Sequence, residues 1–339
     1  MLSHRERLKA CLEGDRSLDR PPVALWRHFP VDDQSPEVLA ASIAAFQNLY
    51  DFDLIKVTPA SSFCLRDWGS EDRWEGHIEG TRNYTKRVIE TPQDWESLTV
   101  LDPSLPNFAD QLLCLRLIRN EFGPEVPVIQ TIFSPLSQAK NLAGGERLIV
   151  HLRQFPGAVL RGLETITTTT MRFIEAALAE GIDGIFFAVQ HAQASILTRD
   201  EYETFALPFD LQASLLGRDL WANILHLHGD NVYFDLATRY RFQIVNWHDR
   251  ETSPTLAHAQ KYWSADKHLD EIPVVCGGIN RNTIVYGSRA DVRAEALDAI
   301  DQTSGQKFIL GTGCVVPVIA SHGNIQAVRN SVEKAGREP

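Results

Sequence analysis

The sequence has no Cys-x-x-Cys pair, no long apolar run, no cluster of lysines and arginines and no low-complexity stretch. Each absence removes a class of protein. The cysteines (Cys11, Cys64, Cys114, Cys276 and Cys314) are odd in number and irregularly spaced, unlike a secreted disulfide framework, so a reducing cytoplasm is the expected location. The opening Met-Leu-Ser-His-Arg-Glu lacks the apolar core of a signal peptide. No segment offers the roughly 20 consecutive apolar residues that a membrane helix needs. A net charge of -11 without a basic run argues against a nucleic-acid partner. Gly144-Gly145 sits outside any G-x-G-x-x-G pattern and reads as a loop rather than a phosphate cradle. With no Pro/Gly/Ser linker, residues 1–339 read as one domain, long enough to hold a core without disulfides or structural metal.

What is present is a repeat of architecture. Short Val- and Ile-rich runs recur between longer helix-like segments, the pattern of βα units. Eight such runs are expected to be strands: Pro22–Phe29, Asp53–Pro59, Val126–Phe133, Gly184–Gln190, Ala222–His228, Gln243–His248, Ile272–Ile279 and Lys307–Cys314. Eight parallel strands buried on both faces make a (β/α)8 TIM barrel, favoured here over a doubly wound sheet. Ser3 with Glu6 forms a capping box that opens a helix before the first strand, and Thr198 begins another after the fourth. Alternation over Arg73–Glu90 around Glu79-Gly80-Thr81 predicts a hairpin inserted after strand 2, roofing the barrel mouth or merely decorating it.

Barrel enzymes carry their chemistry where strands run into the following loops. Those positions hold Arg27, His28, Lys56, Thr58, Gln130, Ser134, Gln190, His191, His226, His228, Asn246, His248, Asp249, Asn280, Arg281, Thr312 and Cys314. In Leu225-His226-Leu227-His228-Gly229 the alternation of a strand sends both imidazoles to one face and both leucines to the other. Two imidazoles plus a third donor make a metal-ligand set. Cys314, in Gly311-Thr-Gly-Cys314, is a third donor suited to zinc. The plainer reading is that the histidines hydrogen-bond a substrate or neighbouring carbonyls, and that Cys314 is a small apolar filler.

Several segments together resemble the uroporphyrinogen decarboxylase superfamily: Arg5-Glu-Arg-Leu8, Asp19-Arg-Pro-Pro-Val-Ala-Leu-Trp-Arg27, Glu180-Gly-Ile-Asp-Gly-Ile185, His226-Leu-His-Gly229, Asn246-Trp-His-Asp249, Gly277-Gly-Ile-Asn280 and Gly311-Thr-Gly-Cys314. The resemblance implies the same barrel and separates two branches. True decarboxylases of the tetrapyrrole carry two arginines after strand one; Arg27 matches the first, but Val31 stands at the second. Their acidic residue after strand two falls on Thr58 and their strand-eight histidine on Thr312. A substrate with eight carboxylates would leave charges unpaired in such a pocket. The sequence is closer to the zinc-dependent corrinoid methyltransferases, whose zinc is held by His-x-Cys on strand five and a later Cys. By that likeness His226, His228 and Cys314 are the zinc ligands, with His228 replacing a cysteine. Trading a thiolate for a neutral imidazole makes the ion a stronger Lewis acid and favours an oxygen-bearing substrate over a thiol.

The reading is therefore a zinc-dependent methyltransferase or demethylase. Arg27, His248 and Asp249 are its catalytic candidates, and Arg27, Gln190, His191, Asn246 and Asn280 its substrate-binding ones. Its substrate is small, or is a methyl-corrinoid brought by a partner corrinoid protein. Relatives are often dimers, so a homodimer is an expectation to test. Two alternatives stay open: a metal-free decarboxylase using Arg27 with His226 or His248 as proton donor, and a non-catalytic corrinoid or tetrapyrrole carrier.

Overall fold

The structure is a computed structural model that describes residues 2–267, 269 and 271–333. Met1 and residues 334–339, at the two ends of the expected 1–339 unit, lie outside the described residues.

Runs rich in β-branched and aromatic residues pair where both of their faces are covered, because a backbone buried away from water must find its partners in a ladder. The strands are β1 (Ile55–Val57), β2 (Glu71–Arg73), β3 (Asn83–Lys86), β4 (Val128–Phe133), β5 (Gly184–Val189), β6 (Ile224–Leu227), β7 (Ile244–Trp247), β8 (Val274–Ile279) and β9 (Phe308–Thr312). Seven of them form one curled sheet, with neighbours β1-β4-β5-β6-β7-β8-β9 all parallel. Every residue of these seven strands is buried. Helices fill the connections, the longest being Pro156–Ala179, which takes in Thr167–Thr170. The capping boxes of Ser3 with Glu6 and of Thr198 with Glu201 are both formed. Among the described residues no helix is long and apolar enough to cross a membrane.

The first strand expected from the sequence, Pro22–Phe29, is reduced to one bridge, Val23 beside Leu310. Leu310 N–H donates to the Pro22 carbonyl, Ala24 N–H to Leu310, and Asp53 N–H to Val23, each at 2.9 Å. Residues 22–24 thus join β9 to the start of β1 and close the barrel at its eighth position. The ladder is short for a local reason. Pro21 and Pro22 have no N–H to give, and the Val23 N–H is taken at 2.8 Å by the Asp53 carboxylate. That carboxylate is fixed in turn by Arg7 at 2.8 Å and Arg20 at 2.6 Å.

β2 and β3 pair antiparallel, with a register shift between Glu71 and Asp72. The paired residues are fewer than the alternation over Arg73–Glu90 suggests, and they begin two residues earlier. The connection between them lies against three strand-end loops. The Ile78 carbonyl accepts from Val318 N–H, Glu79 pairs with Arg281, and Gly80 presses on His28. Gly80 has φ of 75° and a Cβ built there would lie 2.3 Å from the His28 Cβ, so both conformation and space call for glycine.

Candidate functional site

The ends of β6, β7 and β9 bring four side chains to one point. His226 is on β6 and His228 one residue past it; His248 follows β7, and Cys314 lies two residues beyond β9. Each offers one donor atom, and all four atoms lie within 4.8 Å of one another. Cys314 Sγ is 3.7 Å from His226 Nε2 and 3.6 Å from His228 Nδ1, and His228 Nδ1 is 3.3 Å from His248 Nε2. A tetrahedral zinc with Zn–S of roughly 2.3 Å and Zn–N of roughly 2.05 Å has S···N edges of about 3.6 Å and N···N edges of about 3.3 Å. The donor set therefore fits such an ion in chemistry, and these three edges fit it in spacing.

Register explains how His226 is oriented. His226 and Asn246 are Cα partners across the β6–β7 ladder, so their side chains share a face. Asn246 Nδ2 donates to the carbonyls of Cys276 and Thr312, at 2.8 and 3.0 Å, which turns its Oδ1 to His226 Nδ1 at 2.6 Å. An acceptor there keeps the proton on Nδ1 and leaves the Nε2 lone pair facing Cys314. Burial, reinforced by His228 and His248, holds the His226 pKa well below its ordinary value, so the imidazole is neutral. Burial also lowers His228. For His248 burial is the largest single effect, but bonds to Cys314 and Glu251 outweigh it and raise the pKa.

The turn that carries Cys314 is packed tightly. A Cβ on Gly313 would fall 2.7 Å from both His248 Cα and the Trp247 carbonyl, backbone atoms that cannot swing away. Only glycine lets the end of β9 come this close to the end of β7. Behind His248, Glu251 lies 3.6 Å from Nδ1; Arg281 grips Glu251 at 3.0 and 2.6 Å and also reaches Glu79 of the β2–β3 connection.

The other residues singled out in the sequence take up different positions. Asp249 is buried, but its carboxylate accepts the Gly278 N–H at 3.1 Å and stands 4.0 Å from Arg250, so it braces β8 and does not join the donor cluster. Burial pushes its pKa up to about 7. Arg27 is half-buried, donates to the Val318 carbonyl at 3.1 Å and lies over Phe29; none of its hydrogen bonds reaches the cluster. Asn280 caps the helix Arg281–Tyr286 through its side-chain oxygen, 2.7 Å from Asn282 N, and so spends on the backbone the oxygen expected to meet substrate. Gln190 is tied through its backbone to Ser137 and Gln193. His191 is buried with Nδ1 unpartnered, and burial together with Lys140 and His228 lowers its pKa to about 3.

Lys56 carries more weight than its place among the strand-end residues suggested. It is buried and lies 4.4 Å from the ring centre of Phe186, whose ring in turn stacks on His226 at 5.2 Å. Burial brings its pKa to about 7, opposed by Cys314. A cavity of about 500 Å³, lined by Leu12, Phe242, Ile272 and Lys307, opens at the opposite end, where the strands begin; in a barrel of this kind the strand C-terminal ends carry the chemistry.

The family model for uroporphyrinogen decarboxylase matches residues 4–335. The chain belongs to the uroporphyrinogen decarboxylase family. No curated protein matches it in sequence. Among solved structures, a methyltransferase from Methanosarcina mazei is similar with a TM-score of 0.83 at 17% identity, over 98% of each chain. A B12-independent methionine synthase from Shewanella sp. W3-18-1 is similar with a TM-score of 0.52 at 11% identity, over 93% of this chain and 92% of that one. At such identities the likeness shows the fold, which is the family's TIM barrel.

Proposed function

We propose that this family member is a zinc-dependent methyl-transfer enzyme, acting on a small methylated substrate or on a methyl-corrinoid held by a partner protein. One observation carries the reading: three imidazole nitrogens and one sulfur, from three strand ends, gather within 4.8 Å of one another, with Cys314–His226, Cys314–His228 and His228–His248 at distances that suit a tetrahedral zinc site. The overall likeness to a methyltransferase supports the same branch. When bound, the metal supplies Lewis acidity.

The chain's own residues do the rest. His226, His228 and Cys314 hold the ion, and Asn246 fixes which nitrogen of His226 faces it. His248 would be a fourth donor within reach; were the other three to hold the ion, it would hold or move a proton at Nε2, with Glu251 behind Nδ1. Gln190 and His191 line the mouth beyond β5. With imidazoles outnumbering the thiolate the site is more positive than a His-Cys-Cys set, which favours an oxygen-bearing substrate over a thiol. The free cysteines suit a cytoplasmic enzyme.

The test is elemental analysis of protein purified without chelator or affinity metal. Zinc near one per chain, lost together with activity in His226→Ala, is the expected result. Full activity in protein stripped of metal would refute the proposal and favour the metal-free decarboxylase.

A further inference from the structure

Lys56 is buried on β1 and forms no ion pair among the described residues. Among the described residues its one side-chain hydrogen bond is to the Thr58 hydroxyl, at 3.1 Å. Thr58 Oγ in turn lies 3.3 Å from the Lys56 carbonyl, so this is a neutral local contact rather than a counter-charge. The groups whose charges reach Lys56 come from several elements: Cys314 past β9, His226 on β6, and His28. None of these is a carboxylate. A lone cation kept out of water beside an aromatic ring is costly unless something else meets it.

Two further nitrogens nearby are also left over. Trp26 Nε1 and His28 Nδ1 are buried and have no hydrogen-bond partner among the described residues. Trp26 is 2% exposed and His28 8%. Lys56 Nζ lies 5.8 Å from the Trp26 ring centre, and the Trp26 ring packs on Phe186 at 5.2 Å, edge to face. The indole N–H is only ever a donor. The Lys56 amine, met only by the Thr58 hydroxyl, and the unpartnered Trp26 indole N–H are together complementary to an oxyanion.

We infer that Lys56 and Trp26 form the binding site for the carboxylate, or a like-sized oxyanion, of the substrate. Lys56 and Trp26 both pack on Phe186, whose ring stacks on His226, so the acid end of a short substrate would be gripped while its reacting end faces the donor cluster. Arg27, the cation that the sequence offered for this task, is occupied at the Val318 carbonyl; Lys56 takes its place. His28, under Gly80, closes the site on the side of the β2–β3 connection. The substrate is then a small methylated acid rather than a neutral ether or alcohol. This inference rests on the methyl-transfer reading only for the word "methylated"; the anion site stands without it.

Calorimetric titration of the full chain with acetate and with benzoate, against benzyl alcohol as the neutral counterpart, tests the site. Lys56→Met keeps the length and apolar stem of the side chain, and Trp26→Phe keeps a ring but removes the N–H. The expected result is that the anions bind and the alcohol does not, with affinity for the anions falling about tenfold or more in Lys56→Met and several-fold in Trp26→Phe. Lys56→Met should melt at the same temperature or higher, since it removes a buried amine that no carboxylate meets; a residue present only for packing or folding would lower it. Equal binding of acid and alcohol, no binding of either anion, or unchanged affinity in both variants overturns the proposal. Repeating the titration on chelator-treated protein separates it from the zinc reading. Anion binding that survives metal removal and still depends on Lys56 upholds this site whatever the fate of the zinc. Binding that vanishes with the metal and ignores Lys56→Met places the anion on the ion and ends the inference.

Discussion

The side-chain oxygen of Asn246 lies 2.6 Å from Nδ1 of His226, with the rest of that amide committed to two backbone carbonyls. The amide cannot turn over without breaking both of those bonds, so the imidazole tautomer is set by the strand register. Asn246→Ala should therefore leave the barrel folded but weaken zinc about 10- to 100-fold. A competition assay with a chromophoric chelator reads this directly. Affinity equal to that of the unaltered chain would show that His226 needs no such support.

Gly313 is the point where the β9 turn and the end of β7 touch. Gly313→Ala must separate Cys314 from His248 by a few tenths of an ångström, because the added methyl meets only backbone. Zinc affinity is expected to fall by the order of tenfold, with the helical content unchanged. In cobalt-substituted protein the thiolate-to-metal absorption should weaken as well. An undisturbed cobalt spectrum would mean that the turn yields elsewhere.

Asp53 holds the barrel seam through Arg7, Arg20 and the Val23 N–H. Asp53→Asn removes the buried charge that Arg7 and Arg20 share, leaving Arg7 only Asp19 and Arg20 only the more exposed Glu333, and the cost should be about 2–4 kcal/mol. Denaturant unfolding measures it. A loss below about 1 kcal/mol would place the seam's strength outside this network.

Asp210, which is not one of the clustered His/Cys donors, gives a pH signature. It is buried, and burial lifts its pKa to about 7 even though Tyr202 and Tyr240 donate to it at 3.1 and 2.8 Å. Between the unfolded value near 4 and this raised value the folded chain binds a proton that the unfolded chain does not. Its contribution to stability therefore declines as pH rises through that window and stays low above about 7. Asp210→Asn removes the effect, so the difference in urea midpoint, variant minus unaltered, should climb from about pH 4 to about pH 7. A constant difference across that range would contradict the raised pKa.

The sequence carried the barrel in its spaced Val/Ile runs, and a period of two along Leu225–Gly229 is enough to turn His226 and His228 to one face. That Gly313 is what lets Cys314 come near them shows only in the packing of its turn on the end of β7. What the sequence did not carry is register. Asn246 read as a substrate contact because nothing local says that it sits beside His226; that follows only from the Ile224–Ile244 pairing. Nor does spacing reveal that His248 lies within bonding distance of His228, or that Lys56 lacks a counter-charge, since both depend on strands far apart in the chain. The first strand was over-read for a related reason: Pro22–Phe29 is apolar enough, but the acceptor that takes its N–H is Asp53.

The seam has a consequence for motion. Every boundary within the seven-stranded sheet is held by a ladder of three or more paired residues, whereas residues 22–24 meet β9 through one bridge and the start of β1 through the Asp53 N–H alone. Local opening costs least where the fewest bonds must break, so breathing of the cylinder should begin there. On one bank of that fault lie Trp26 and His28, and on the other Cys314. A fluctuation that parts them would let small molecules reach an interior whose walls are otherwise shut.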